Sequence, residues 1–227
     1  MAFNIAIDGP AGAGKSTIAK RIAKQLSFIY VDTGAMYRAM ALYFLRNGID
    51  ASDEDAIAAA CGQVDITITY QDGEQCVMLN GENVNGLIRT EEVGNMASNT
   101  SVYQAVRSKL TQLQKKLAQT SDIVMDGRDI GTCVLPDAQV KIYLTASSET
   151  RARRRYKELM EKNEPADFEQ IKADIEERDK RDMTREIAPL KQAEDAVLVD
   201  SSDLTIEQVA ACILELCEKR GAAVKDK

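Results

Sequence analysis

The chain has 227 residues, of which 44% are hydrophobic and 29% are charged, and its net charge is −7. These values are typical of one globular domain with a hydrophobic core, or of one domain that carries an insert. The acidic balance argues against general binding of nucleic acid or of an anionic membrane. The absence of histidine excludes Ser–His hydrolysis, HExxH zinc chemistry and histidine phosphotransfer.

The five cysteines form no C-x-x-C pair, which indicates reduced thiols and not disulfides or a zinc site. The N-terminal segment is too short and too acidic at its end for a signal peptide, and no apolar run is long enough to span a bilayer. We therefore expect a cytoplasmic monomer whose partners include neither nucleic acid nor a membrane.

Short apolar runs alternate with helical patterns along most of the chain, which predicts an α/β fold with a parallel sheet and helices on both faces. A closing helix with a capping box is predicted to begin at Thr205 and to end near Arg220, with a frayed tail after Gly221. Five strands are predicted, at Asn4–Asp8, Phe28–Asp32, Ile123–Asp126, Val140–Thr145 and Val197–Asp200.

One segment breaks this pattern. Ile66–Tyr70 alternates apolar and polar residues, Asp72-Gly73 is a turn signal, Gln75–Leu79 is a second strand-like run, and Asn80-Gly81 predicts another turn. This is the pattern of a small antiparallel meander. We interpret residues 60–100 as an inserted subdomain within a single domain that spans residues 1–227.

The first glycine-rich turn satisfies the G-x-x-x-x-G-K-[ST] pattern, with an apolar strand before it and a helix after it. Glycines allow several backbone N–H groups to point inward at a phosphate, and the helix N-terminus adds positive charge. Lys15 can reach the β- and γ-phosphates of ATP, and the Ser16 hydroxyl can ligate Mg²⁺. A turn that merely connects strand and helix is the alternative. The motif is Gly9-Pro10-Ala11-Gly12-Ala13-Gly14-Lys15-Ser16, followed by Thr17.

Two further motifs follow predicted strands at the sheet edge where ligands bind. In Asp32–Arg38, the arginine is predicted in the first turn of a helix, where a cation is unfavourable unless it faces an anion. Asp32 could instead be a simple N-cap, and the arginine a solvated side chain. In Asp126–Thr132, the first carboxylate resembles a Walker B aspartate that could contribute to the Mg²⁺ shell. A turn with a surface ion pair is the alternative there.

Arginines also cluster on predicted helices. Arg178, Asp182 and Arg185 are spaced by four and three residues and so share one face of a long helix. A second helix carries Arg151, Arg154 and Arg155 on one face. Surface ion-pair ladders would explain either cluster alone, but transfer of a phosphoryl group between two anions requires several cations. A phosphate monoester is already an anionic nucleophile near neutral pH, so the lack of histidine is no obstacle.

Together these motifs resemble the bacterial-type cytidylate kinases of the nucleoside monophosphate kinase family, over essentially the whole chain. The phosphate loop is shared with the wider P-loop superfamily, whereas the other motifs are more discriminating. The resemblance rests on Gly9–Thr17, Asp32–Arg38, Ile88–Val93, Asp126–Thr132 and Arg178–Arg185.

The resemblance implies a P-loop NTPase fold with a five-stranded parallel sheet, and transfer of the γ-phosphoryl group of ATP, as its Mg²⁺ complex, to CMP or dCMP. It implies a lid at residues 151–167, in which Arg155 contacts ATP, and catalytic roles for Lys15, Arg128, Arg178 and Arg185. It also implies a substrate site for the monophosphate. That site places the base at Ser98, Arg107 and Asp129, the phosphate at Arg38, Arg128 and Arg178, and the ribose at Thr33 and Asp182.

Three other functions share parts of this pattern. A P-loop kinase for another acceptor, such as a different monophosphate or shikimate, would have the loop but would not require both Arg–Asp motifs. A GTPase-like switch needs an N/T-K-x-D loop after a strand, which the sequence lacks. A nucleic-acid-dependent ATPase is disfavoured by the net charge of −7 and by the lack of a basic, aromatic-rich stripe.

Overall fold

The computed structural model describes residues 2–71 and 74–222. The chain divides into two compact units, the first made of Met1–Tyr30 with Thr120–Lys227 and the second of Val31–Gln119. The predicted insert, residues 60–100, is contained in the second unit. Among the described residues, no helix has both the length and the apolar character needed to cross a membrane.

Eight strands are present in the described part of the chain. The predicted strand positions are confirmed to within one residue at each end. The strands are β1 (Asn4–Asp8), β2 (Ile29–Asp32), β3 (Ile66–Gln71), β4 (Glu74–Leu79), β5 (Glu82–Asn83), β6 (Ile123–Gly127), β7 (Val140–Thr145) and β8 (Val197–Asp200).

Eight α-helices lie between these strands, and one π-helical turn, Ile130–Val134, follows β6. The predicted capping box of the last helix is confirmed, because Thr205 and Gln208 each bond the other's backbone N–H. The helices are α1 (Lys15–Leu26), α2 (Thr33–Arg46), α3 (Glu54–Cys61), α4 (Glu91–Thr100), α5 (Gln104–Thr120), α6 (Ser148–Glu161), α7 (Phe168–Thr184) and α8 (Ile206–Lys219).

The predicted five-stranded parallel sheet is confirmed, and its strand order is β2-β6-β1-β7-β8. Its central strands are apolar almost throughout because both faces are covered: Ile5, Ile7, Val124 and Leu144 are fully buried. The buried residues of α1 and α8 belong to the same hydrophobic cluster. The carboxyl ends of β1 and β6 pair side by side, Asp8 opposite Gly127, so the segments that follow them begin at one edge.

In the second unit, β3, β4 and β5 form an antiparallel sheet, which confirms the predicted meander. The turn predicted at Asp72-Gly73 lies outside the described residues. The turn predicted at Asn80-Gly81 is present, with both residues at positive φ. Helix α2 packs against α4 and β4, and its buried side chains include Met36, Met40 and Phe44.

The frayed tail predicted after Gly221 falls largely outside the described residues, which end at residue 222. Two local expectations were wrong. Helix α2 begins at Thr33, because Asp32 caps it, so Arg38 lies in the second turn and not in the first. Helix α7 ends at Thr184, and Arg185 has extended backbone angles, φ −61° and ψ 142°. Arg185 therefore does not extend the helical face of Arg178 and Asp182, although its side chain still returns to Asp182.

Candidate active site

The phosphate loop joins β1 to α1 and depends on glycine at two positions. Gly9 has φ +149°, and a Cβ there would lie 1.9 Å from the carbonyl oxygen of Leu144. Gly14 is the N-cap of α1 in the left-handed conformation, with φ 87°. Both conformations are favourable only for glycine. The loop therefore presents its backbone N–H groups and the start of α1 together, as anion-binding loops do.

Lys15 is buried in this loop, with 6% of its surface exposed, and its Nζ donates to the carbonyl oxygen of Pro10 at 2.7 Å. Burial and the nearby positive charge of Arg128 hold its pKa well below the ordinary value, while Asp126 and Asp8 act in the opposite direction. An ammonium group that is desolvated in this way interacts strongly with any phosphate that enters the loop.

The hydroxyl of Ser16 donates to Asp126 at 2.9 Å, and Tyr30 donates to the other oxygen of the same carboxylate at 2.9 Å. Asp126 is the penultimate residue of β6, an otherwise apolar strand, and is 4% exposed. This hydroxyl–carboxylate pair at the start of α1 has the chemistry of the Mg²⁺ site in P-loop enzymes. The described residues contain no group of three or more His, Cys, Asp or Glu that could hold a metal alone. These residues therefore fit a metal ion that arrives with the nucleotide phosphates.

Next to the loop in the same unit, the Asp126–Thr132 motif meets the end of α7. Arg128 Nε donates to Asp182 at 2.8 Å, and Arg185 lies 3.3 Å from Asp129 and 3.7 Å from Asp182. The Arg185 side chain is 4% exposed and also donates to the carbonyl oxygen of Ala188 at 2.6 and 2.8 Å. Two predicted motifs that are far apart in sequence thus form one ion-pair network.

Burial would raise the pKa of Asp182, but the charges of Arg128, Arg185 and Arg178 outweigh it and hold that pKa below the ordinary value. Arg178 is half-buried on α7, one turn before Asp182. Three arginines therefore act on Asp182, and together with Asp129 the network holds three cations and two carboxylates. Such an excess of cations suits a site for phosphate groups.

The second arginine cluster does not act as one group. Arg151 is buried and bonds the carbonyl oxygens of Ala146 and Ala11, each at 2.9 Å, and the carboxylate of Asp179 at 2.6 Å. Arg154 donates instead to the backbone carbonyl of Ser201 at 2.7 Å.

Arg155 differs from both of these side chains. It is about half exposed and pairs with Glu158 at 3.0 Å. Within this cluster, Arg151 anchors the phosphate loop, Arg154 anchors the segment after β8, and Arg155 faces solvent.

In the second unit, Asp32 is an N-cap, which confirms the structural alternative for this residue. One carboxylate oxygen accepts from Ala35 N–H at 2.9 Å and the other from Arg89 at 2.8 Å. Its backbone N–H donates to Gln75, whose amide in turn donates to the Asp32 carbonyl oxygen. Asp32 therefore fixes the start of α2, directly before Thr33.

Four predicted substrate residues lie in this second unit. Thr33 is 3% exposed at the first position of α2, and Arg38 is half-buried one turn later. Arg107 is 4% exposed, lies 5.7 Å from the centre of the Tyr37 ring and donates to the Ser101 carbonyl oxygen at 3.1 Å. Ser98, near the end of α4, is also buried.

Sequence reasoning missed Asp8 and Gln75, and it grouped Arg151 with Arg154 and Arg155 without finding the contact of Arg151 to the phosphate loop. Asp8 and Arg151 hold the segments around the phosphate loop, and Gln75 holds the end of β2. A buried polar residue at the end of an apolar strand was the available signal for Asp8. Gln75 and the loop contact of Arg151 gave no such signal, because their partners, the backbone of Asp32 and the carbonyl oxygen of Ala11, are remote in sequence.

Comparison with known proteins agrees with the family that the sequence motifs resemble. A family model described as cytidylate kinase matches residues 5–219. The chain is 51% identical to the cytidylate kinase of Caldicellulosiruptor bescii over 217 residues, which is 96% of each chain. It is 50% identical to the cytidylate kinase of Enterococcus faecalis over 221 residues, or 96% of this chain and 97% of that one.

Solved structures with low sequence identity share the fold. A shikimate kinase from Bacteroides thetaiotaomicron aligns with a TM-score of 0.51 at 13% identity, covering 95% of this chain and 98% of that chain. A protein from Eubacterium ventriosum described as uncharacterized aligns with the same score and identity. At this identity the likeness supports the P-loop kinase fold alone.

Proposed function

Because the chain belongs to the cytidylate kinase family, we propose that it transfers the γ-phosphoryl group of ATP to CMP or dCMP, giving ADP and CDP or dCDP. The proposal depends most on one observation. Within the first unit, the phosphate loop and the Arg128–Asp182–Arg185 network are close enough for the charge of Arg128 to lower the pKa of Lys15. Cations from three separate segments thus act on one region.

The ATP phosphates are assigned to the loop Gly9–Thr17, where backbone N–H groups and Lys15 offset their charge. Ser16 and Asp126 are the residues that would hold the Mg²⁺ of Mg-ATP, a cation that neutralises charge on the β- and γ-phosphates when bound. Arg151, through the Ala11 carbonyl, keeps the loop in its anion-binding conformation. Residues 151–167 are proposed as the lid, with Arg155 as the side chain available to ATP because it is exposed.

The acceptor needs no general base. The CMP phosphate has a second pKa near ~6 and is already a nucleophilic anion near neutral pH. Arg38, Arg128 and Arg178 are assigned to that phosphate. Arg185 is assigned to the transferring group, where a cation offsets the charge that the two substrates bring together.

The residues for the nucleoside come from the family motifs. Ser98, Arg107 and Asp129 are proposed as contacts to the cytosine, since they can donate to its ring nitrogen and carbonyl and accept from its amino group. Thr33 and Asp182 are proposed as contacts to the ribose. Residues 60–100 are proposed as the monophosphate-binding insert. We also propose a cytoplasmic monomer, consistent with five free cysteines.

A coupled assay of ADP release with a panel of acceptors tests the proposal. We expect CMP and dCMP to stimulate ATP turnover far above UMP, AMP and shikimate. Equal stimulation by UMP or AMP would contradict the specificity for cytosine. Stimulation by shikimate alone would show that the protein is a shikimate kinase and not a monophosphate kinase.

A further inference from the structure

Asp8, the last residue of β1, reaches across to the segment that follows β6. Its Oδ1 accepts from the backbone N–H of Ile130 and its Oδ2 from that of Gly131, both at 2.7 Å. The carboxyl group is 5% exposed. Both oxygens of one buried carboxylate are therefore used to hold two consecutive peptide groups.

Those two peptide groups are the first of the π-helical turn Ile130–Val134, whose N-cap is Asp129. An N-cap aspartate ordinarily accepts hydrogen bonds from the N–H groups of its own helix. Asp129 makes no such bond, and its carboxylate instead faces Arg185 at 3.3 Å. Asp8 thus supplies from another strand the capping interaction that Asp129 does not make.

The position of Gly131 shows how closely this contact is fitted. A Cβ at Gly131 would lie 3.3 Å from Asp8 Oδ2 and 3.2 Å from Cδ of Lys141. Lys141, on β7, also bonds the carbonyl oxygen of Pro136 and the carboxylate of Asp195. The segment that contains Gly131 is therefore held between side chains from β1 and β7, with little room for displacement.

This buried position disfavours the ionised form of Asp8. Burial raises the pKa of its carboxyl group to about 6, although the N–H groups of Gly131 and Ile130 and the charge of Lys15 act in the opposite direction, and Asp129 raises it further. The surroundings of Asp8 destabilise the ionised form of its carboxyl group. Groups whose pKa is shifted in this way cluster at functional sites.

We propose that Asp8 is a positioning residue for the reaction: by capping the turn after Asp129, it allows the Asp129 carboxylate to pair with Arg185 and fixes Arg128 and Asp129 beside the phosphate loop. The inference depends on the proposed function, because it assigns Arg128 and Asp129 to the monophosphate. Asp8 itself touches neither substrate.

The first test is the steady-state kinetics of Asp8→Asn and Asp8→Glu. The amide of Asn can accept one N–H but places its own NH₂ against the other, so the turn must shift. Glu keeps the charge but moves it by one methylene. We expect both variants to lose roughly tenfold to a hundredfold in kcat/KM for CMP, while KM for ATP changes less than threefold. Wild-type kinetics in Asp8→Glu would show that only the charge matters and would overturn the inference.

A double-mutant cycle separates positioning from folding. In an Asp129→Ala background, Asp8→Asn should reduce kcat/KM for CMP by a smaller factor than in the wild-type background, because one of the two groups that it positions is gone. Full additivity of the two losses would overturn the inference. The matched control is Asp195→Asn, which changes the exposed partner of Lys141, the other side chain that faces Gly131, and should leave kinetics unchanged.

These outcomes are distinct from failure of the proposed function. If wild-type protein failed to phosphorylate CMP or dCMP, the function itself would be wrong. If it phosphorylated them and Asp8→Asn behaved as wild type, only the role of Asp8 would be wrong. Thermal unfolding of each variant shows whether a kinetic loss is accompanied by unfolding, and the cycle is then measured below the lowest Tm.

Discussion

Arg128 and Asp182 lie 54 residues apart in sequence, yet the Nε of the arginine donates to the carboxylate at 2.8 Å. Each residue stabilises the charged form of the other: Asp182 raises the pKa of Arg128 against the effect of burial, and Arg128 lowers the pKa of Asp182. The pair presents the remaining guanidinium nitrogens of Arg128 in a fixed direction. Fixed donors of this kind lower the entropic cost of binding a phosphate.

Replacement of Asp182 by Ala should mainly raise KM for CMP, by about tenfold, because Arg128 loses the carboxylate that orients it. It should also destabilise the protein by about 3 kcal/mol, since a largely buried cation loses its partner. Steady-state kinetics and urea unfolding measure the two effects. Glu177→Gln, at an exposed ion pair with Arg181 on the same helix, is the control and should change neither quantity.

Replacement of Arg185 by Ala should lower kcat by roughly a hundredfold to a thousandfold, with smaller changes in either KM, because a cation near the transferring group acts mainly in the transition state. Rapid-quench measurement of the chemical step isolates the effect from product release. Arg181→Ala removes a half-buried arginine one turn earlier in the chain, which pairs with the exposed Glu177, and serves as the control. Wild-type turnover in Arg185→Ala would show that Arg185 is only a C-terminal cap of α7.

The Ser16–Asp126 contact predicts a change in metal dependence. Asp126→Asn keeps an acceptor for Ser16 but removes the negative charge, so the Mg²⁺ concentration for half-maximal activity should rise about tenfold. Tyr30→Phe removes only the tyrosine hydroxyl that bonds the other oxygen of Asp126 and should shift it much less. An unchanged Mg²⁺ titration in Asp126→Asn would exclude Asp126 from the metal shell.

The raised pKa of Asp8 predicts how stability depends on pH. Burial raises the pKa of the Asp8 carboxyl group from its ordinary value of 3.8 to about 6, so the folded protein holds this proton more tightly than the unfolded chain does. Its contribution to stability is therefore complete below pH 4 and is lost as the pH rises through 6. Between pH 4 and pH 7, the free energy of unfolding of Asp8→Asn should rise relative to that of the wild type by up to about 3 kcal/mol, because only the wild type loses this contribution. A pH-independent difference in urea unfolding would contradict this.

Replacement of Gln75 should have a purely structural effect. It is 9% exposed and bonds both the N–H and the C=O of Asp32, so Gln75→Leu should lower stability by about 2 kcal/mol by leaving buried backbone groups unpaired. Differential scanning calorimetry measures the loss. The control is Gln71→Leu, at an exposed position on the neighbouring strand β3, which should change stability by less than about 0.5 kcal/mol.

The sequence alone determined the fold class and the phosphate loop, because both depend on local patterns. Apolar runs that alternate with helical periodicity predict a parallel sheet, and Gly9–Ser16 is contiguous in sequence. The positions of seven of the eight described strands were predicted to within one residue for the same reason, whereas the two-residue strand β5 was not predicted. The end of α7 was not, since Arg185 leaves the helix to reach Asp129 and Ala188, which are tertiary partners.

The tertiary structure decided which of the charged residues belong together. From sequence, Arg151, Arg154 and Arg155 form one cluster, but their different depths of burial give each a different partner. Conversely, Arg128 and Asp182 come from separate motifs and form one pair. The role of Asp8 depends on the side-by-side pairing of β1 with β6. Hydrogen bonds between residues more than a hundred positions apart have no local signal, so only the folded chain can show them.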